Sequence, residues 1–194
     1  MIRIAAIADL HCRQACPTRY RDWYRQLNDE ADVFILAGDM THFGKPEEAR
    51  ALAAELSVIR IPVLAVLGNH DVHSNRSEEV KAVFRDAGVR VLDDGPCRLE
   101  VNGSSVGFAG SKGFCGGFGT TCLTPFGETA LKAFINETLV EAESLERSLG
   151  ELDTKYRVVV LHYAPVRETE RGIPVRNVAL PVLRKYYVTY ELGG

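Results

Sequence analysis

Three near-uniformly apolar runs, at residues 2–8, 33–37 and 63–67, each break off into a polar cluster, and this repetition constrains the fold more than any other feature of the chain. Such runs are too short and too evenly apolar for amphipathic helices and fit strands buried on both faces. Between them, residues 18–30 and 46–59 have helix-forming composition, and Pro46-Glu47-Glu48 suits a first helical turn in both backbone and dipole terms. Ser77-Glu78-Glu79 opens a third helix that Gly88 ends, after which residues 89–92 resume as strand. The βαβαβαβ order predicts a parallel sheet with right-handed crossovers.

The second half changes character. Residues 97–101 and 105–109 flank Asn102-Gly103, a hairpin signal, so antiparallel strands are expected to join the parallel set in a mixed α/β architecture. Residues 110–127 carry six glycines and read as a loop that closes over the site, 128–149 as one long helix, 157–161 as a last buried strand and 166–181 as a loop. No repeat or linker divides the chain, so residues 1–194 are expected to form a single domain.

A chain of 194 residues buries enough apolar surface to fold without staples, so a bound metal would be functional and not structural. The formal net charge of -3, with basic residues spread along the chain, does not signal extended contact with nucleic acid. No apolar run is long enough to span a bilayer, and residues 1–8 run into Asp9 and His11 with no cleavage pattern, so neither a membrane partner nor a signal peptide is expected. Five scattered cysteines argue for a reducing compartment and make the cytoplasm the expected location. Cys12 and Cys16 have no zinc-like spacing and receive no role.

The polar clusters carry the chemistry. They are Asp9-Leu10-His11, Gly38-Asp39, Gly68-Asn69-His70-Asp71 and His162, each at the carboxyl end of a strand, where ligands of open α/β sheets bind. Asp, His and Asn offer oxygen and imidazole donors without thiolate, a set that suits Mn²⁺, Fe²⁺ or Zn²⁺ in a hydrolytic site. Asp9 and His11, two apart on an extended segment, point to the same side and can grip one ion. Each cluster has a plain alternative: Asp-x-His as a helix entry beside a hydrogen-bonded histidine, Gly-Asn-His-Asp as a turn, His162 as a satisfied strand-end histidine. His42, three residues after Asp39, reads either as a solvated loop residue or as lining for the substrate cleft, and Lys112 in the glycine-rich segment as a phosphate contact. That segment lacks the strand and helix context of a phosphate loop.

Taken in order, these motifs resemble the calcineurin-like metallophosphoesterase family over roughly Met1 to Pro165. The resemblance implies a mixed-sheet αββα sandwich and hydrolysis of a phosphomonoester or phosphodiester by two divalent ions, Mn, Fe or Zn. It implies that Asp9 and His11 bind the first ion, that Asp39 bridges both, and that Asn69 and His162 bind the second. By the same resemblance His70 protonates the leaving group and contacts the substrate phosphate, and Asp71 orients His70. The family pattern closes with Gly-His-x-His, which this sequence lacks. Residues 182–194 look like the helix preceding that motif, with its glycine cap. The expectation is therefore a domain short of its C-terminal strands, an ion pair each lacking one imidazole, and an exposed sheet edge open to self-association. An impaired domain serving as a binding or regulatory module is the alternative, and a nucleotide-binding module built on the glycine-rich loop a third reading. The partner is expected to be a small phosphoester, with a nucleic-acid end among the classes that no motif distinguishes.

Overall fold

The computed structural model describes residues 1–15, 19–117, 119–163, 173–183 and 187–193. The three apolar runs form β1 (Ile2–Ile7), β2 (Val33–Ala37) and β3 (Val63–Val66), and every residue of β2 and β3 is buried. Because side chains alternate along a strand, each run serves two layers. Ala5, Ile7, Phe34, Leu36, Val63 and Ala65 face one apolar cluster; Ile4, Ala6, Val33, Ile35, Leu64 and Val66 face another. The first cluster is completed by α1 (Arg19–Glu30), α2 (Pro46–Leu56) and α3 (Ser77–Asp86), which contribute Tyr24, Leu27, Leu52, Leu56, Val80 and Phe84. A short β4 (Arg90–Val91) follows and turns at once into a 3₁₀ turn at Leu92–Asp94. Strands β4, β3, β2 and β1 pair in that order, all parallel.

The hairpin does not join this sheet. β5 (Cys97–Val101) and β6 (Ser104–Ser111) turn through Asn102 and Gly103, at φ 49° and 73°, and form a separate sheet in which β7 (Tyr156–Leu161) pairs parallel to β6. The reason is the second apolar face of the first sheet, which needs a layer to cover it. Val106, Phe108 and Val160 supply that cover against Ile35, Leu64 and Val66. The sheets meet closely at Gly110, where a Cβ would stand 2.5 Å from Val66 Cγ1. α4 (Thr129–Gly150) lies outside β6 and completes the αββα order.

The end of the chain differs from expectation. After α5 (Leu180–Leu183), Val188–Leu192 is not a helix but a strand, β8, antiparallel to β1 with Ile4 opposite Tyr190. Val188, Tyr190 and Leu192 alternate in burial with exposed Thr189 and Glu191, a period of two that fits a strand and not a helix. β8 covers the outer edge of β1, so that edge is not open. The loop expected at 166–181 lies partly outside the described residues, as does Cys16.

Candidate metal centre

The loops after β1 and β2 are laced together by the backbone: Asp9 N–H donates to Gly38 O (3.1 Å), His11 N–H to Asp39 O (2.9 Å) and His42 N–H to Cys12 O (3.0 Å). This lacing holds Asp9, His11 and Asp39 at φ 60°, 46° and 52°, in the left-handed region that side chains other than glycine seldom adopt. Three such residues side by side, all carrying donor atoms, are a concentration of strain of the kind found at functional sites. The close approach needs Gly68, where a Cβ would stand 2.1 Å from Asp39 Oδ1, and Gly38, where one would stand 2.5 Å from His162 Nδ1. Gly38 and Gly68 are required because residues of a neighbouring loop occupy the space a side chain would fill.

Around this frame the structure gathers Asp9, His11, Asp39, Asn69, His70 and His162. Donor atoms of Asp9, His11 and Asp39 lie within 4.8 Å of one another. His11 Nε2 is 3.7 Å from Asp39 Oδ2, while His162 Nε2 is 3.4 Å from Asp39 Oδ1 and 3.0 Å from Asn69 Oδ1. The two oxygens of one nearly buried carboxylate thus face two different imidazoles. His162 Nδ1 lies 3.1 Å from the carbonyl of Ala37. A carbonyl only accepts, so Nδ1 is the donor to Ala37, and in the neutral ring Nε2 turns its lone pair towards Asp39 Oδ1 and Asn69 Oδ1. Imidazole, carboxylate and amide lone pairs converging in this way fit a cation placed among them, and this donor set suits a divalent ion. Burial pushes the Asp9 carboxyl above its usual range; His162 opposes this and Asp39 adds to it.

His70 occupies the adjoining side. Its N–H donates to Asp39 Oδ1 (2.8 Å), and its Nδ1 lies 2.7 Å from the His42 carbonyl, leaving Nε2 for the cleft. The group orienting His70 is therefore a backbone carbonyl and not Asp71. The Asp71 carboxylate is fully buried and accepts from Thr41 N–H (2.7 Å), Thr41 Oγ1 (2.6 Å), Gly68 N–H (2.9 Å) and Met40 N–H (3.2 Å), clamping two loops together. Burial raises its pKa against the pull of those hydrogen bonds.

His42 stands at the cleft, its donor atom within 4.8 Å of those of His11 and His70. Desolvation, and next the charge of Arg13, hold its pKa below the usual value. Lys112 is placed otherwise than a phosphate contact requires: its ammonium meets Glu141 (3.3 Å), Glu137 (3.8 Å) and the Gly113 carbonyl (2.8 Å). Sequence reading missed Arg13, whose Nη2 lies 3.0 Å from His42 Nε2; its place two residues after His11 was the available signal. Cys12 is disulfide-bonded, which counts against the reducing compartment read from the cysteines, whereas Cys97, Cys115 and Cys122 are free.

An αββα sandwich with acidic and imidazole donors at the strand ends defines a class of metal-site α/β proteins. Within that class, the family model of calcineurin-like phosphoesterases matches residues 2–191, and the chain belongs to this family of metal-dependent phosphoester hydrolases. Among solved structures it is similar to the phosphopantetheinyl hydrolase PptH of Mycobacterium tuberculosis, at 16% identity and a TM-score of 0.53, over 82% of this chain and 67% of that one. It is also similar to a hypothetical protein of Thermus thermophilus, at 23% identity and a TM-score of 0.51, over 81% of this chain and 56% of that one. At such identities the likeness is one of fold. A comparison with curated proteins finds no match.

Proposed function

We propose that this chain hydrolyses a small phosphomonoester or phosphodiester at a centre of two divalent ions, as one domain spanning residues 1–194. The observation that carries the reading is Asp39, whose two carboxylate oxygens face His11 on one side and His162 on the other. Asp9, His11 and Asp39 would hold the first ion, and Asp39, Asn69 and His162 the second. Mn, Fe and Zn all suit these ligands. When bound, such ions activate water and offset the charge that develops on the phosphoryl oxygens.

The chain's own residues supply the rest. His70, anchored through Nδ1–H on the His42 carbonyl, would act in its imidazolium form, giving the Nε2 proton to the leaving oxygen and returning to the neutral ring. Asp71 acts at a distance, by fixing the loop of Asp39 to the loop of Asn69 and His70. His42 lines the substrate side of the cleft. Lys112 is not a substrate contact in this reading, its charge being met by Glu141 and Glu137. No helix among the described residues is long and apolar enough to cross a membrane. The three free thiols at Cys97, Cys115 and Cys122 support a cytoplasmic location, and the disulfide at Cys12 opposes it.

Release of nitrophenol from a nitrophenyl phosphodiester and a monoester, with Mn²⁺ and with chelator, tests the reading. Chelator-sensitive turnover that disappears in Asp39→Asn is expected. Metal binding without turnover of either ester would overturn the hydrolase reading.

A further inference from the structure

Arg13 is a cation at the cleft without a counter-charge: among the described residues its guanidinium meets the ring of His42, 3.0 Å away, and forms no ion pair with an acid. A guanidinium can only donate, so His42 Nε2 is the acceptor and Nδ1 carries the ring proton. The Nε2 lone pair is occupied, and Nδ1 is shielded from solvent with no partner. In this arrangement His42 does not offer a lone pair to a cation, even though its donor atom stands within 4.8 Å of those of His11 and His70. It serves as a post for the guanidinium, whose remaining N–H groups, about four of the usual five, stay open to a ligand.

The order of groups in space says what that ligand is. The His70 ring lies 4.4 Å from that of His11, and the His42 ring 5.8 Å from each. Arg13 adjoins His42, which borders His11 and His70, whereas among the described residues the contacts of Asp39 and Asn69 run to His11, His70 and His162. With the reacting phosphoryl group at Asp39, Asn69 and His162 and His70 at the leaving oxygen, Arg13 stands beside the leaving group and not the phosphoryl group. We propose that Arg13, held by His42, selects phosphoesters whose leaving group carries a second anionic group, a phosphate or a carboxylate. The planar fork of a guanidinium matches both through paired hydrogen bonds. The inference rests on the hydrolase reading and names its substrate class.

The test compares phenyl phosphate, 3-carboxyphenyl phosphate and 1,3-phenylene bisphosphate as substrates of the Mn²⁺-supplied protein, by phosphate release. Arg13→Gln should lower kcat/KM about tenfold or more for the two anionic leaving groups, mainly through KM, and no more than about twofold for phenyl phosphate. Arg13→Lys should recover part of the loss. The larger effect of the two names the carboxylate or the phosphate as the group recognised. Equal losses on all three substrates, or none, would overturn the proposal. A second arm measures binding of phenylphosphonate and 3-carboxyphenylphosphonate by calorimetry in the presence of Mn²⁺. A preference for the carboxylated ligand that Arg13→Gln abolishes supports the proposal even in a protein that hydrolyses nothing, a result that would sink the hydrolase reading alone. No such preference in the unaltered protein would overturn it.

Discussion

Asp71 and His70 adjoin in sequence yet do different work. Asp71→Ala would leave the N–H groups of Met40, Thr41 and Gly68 buried without an acceptor, and such orphaned groups cost about 1–3 kcal/mol each. Urea denaturation should show a loss of more than about 3 kcal/mol, and metal affinity should fall although Asp71 does not face the cleft. His70→Ala should instead keep its metal content by elemental analysis and lose hydrolysis, with a smaller loss for esters of acidic phenols, which depart without a proton. Equal metal loss in both variants would contradict this division. The left-handed backbone at His11 gives a third expectation. Asparagine tolerates φ near 46° better, so in chelator His11→Asn should be more stable than the unaltered protein by about 0.5–1 kcal/mol, read from thermal melts. Asp93 gives the pH dependence. Burial pushes its carboxyl up to about 6, against the Leu67 N–H that holds it down. A folded-state pKa above the unfolded value of 3.8 means the folded state binds the extra proton, so stability is greatest below that value and is lost as pH rises through about 6. Asp93→Asn should flatten that part of the stability profile.

Among the elements, β1 to β3, α1 to α4 and the hairpin were legible because each rests on a local signal: a continuous apolar run, a helical period or an Asn-Gly turn. β8 was not. Three of its five residues are half-buried and two exposed, no turn signal marks it, and its pairing partner lies at the other end of the chain. The same distinction runs through the site. Asp9, His11, Asp39, Asn69, His70 and His162 could be collected from sequence because strand ends announce them. The backbone carbonyl that orients His70 and the loops that Asp71 clamps could not, because they are contacts between segments about thirty positions apart. α2 shows how an element serves the site. Glu48, in its first turn and 3% exposed, accepts from Phe43 N–H (2.7 Å) and Lys45 N–H (3.4 Å), tying the His42 loop to the helix. Glu48→Ala should cost about 1–2 kcal/mol in chemical denaturation, and Glu48→Gln less.

For the whole molecule, the decisive feature is that the cleft draws on both sheets. Asp9, His11, Asp39 and Asn69 follow strands of the first, whereas His162 follows β7 of the second. The contact of Gly110 with Val66 therefore helps set how near His162 comes to Asp39. Gly110→Val should wedge the layers apart, cost about 1–3 kcal/mol and weaken the ion held by His162 more than the one held by His11. Unchanged metal stoichiometry with reduced stability would show that the layers yield without moving the histidine. An ion bound between Asp39 and His162 would act as a rivet through two plates. Opening the sandwich would then require letting the ion go, so unfolding should slow as free metal rises, and a stopped-flow trace would register the ion's departure and the parting of the sheets as one event.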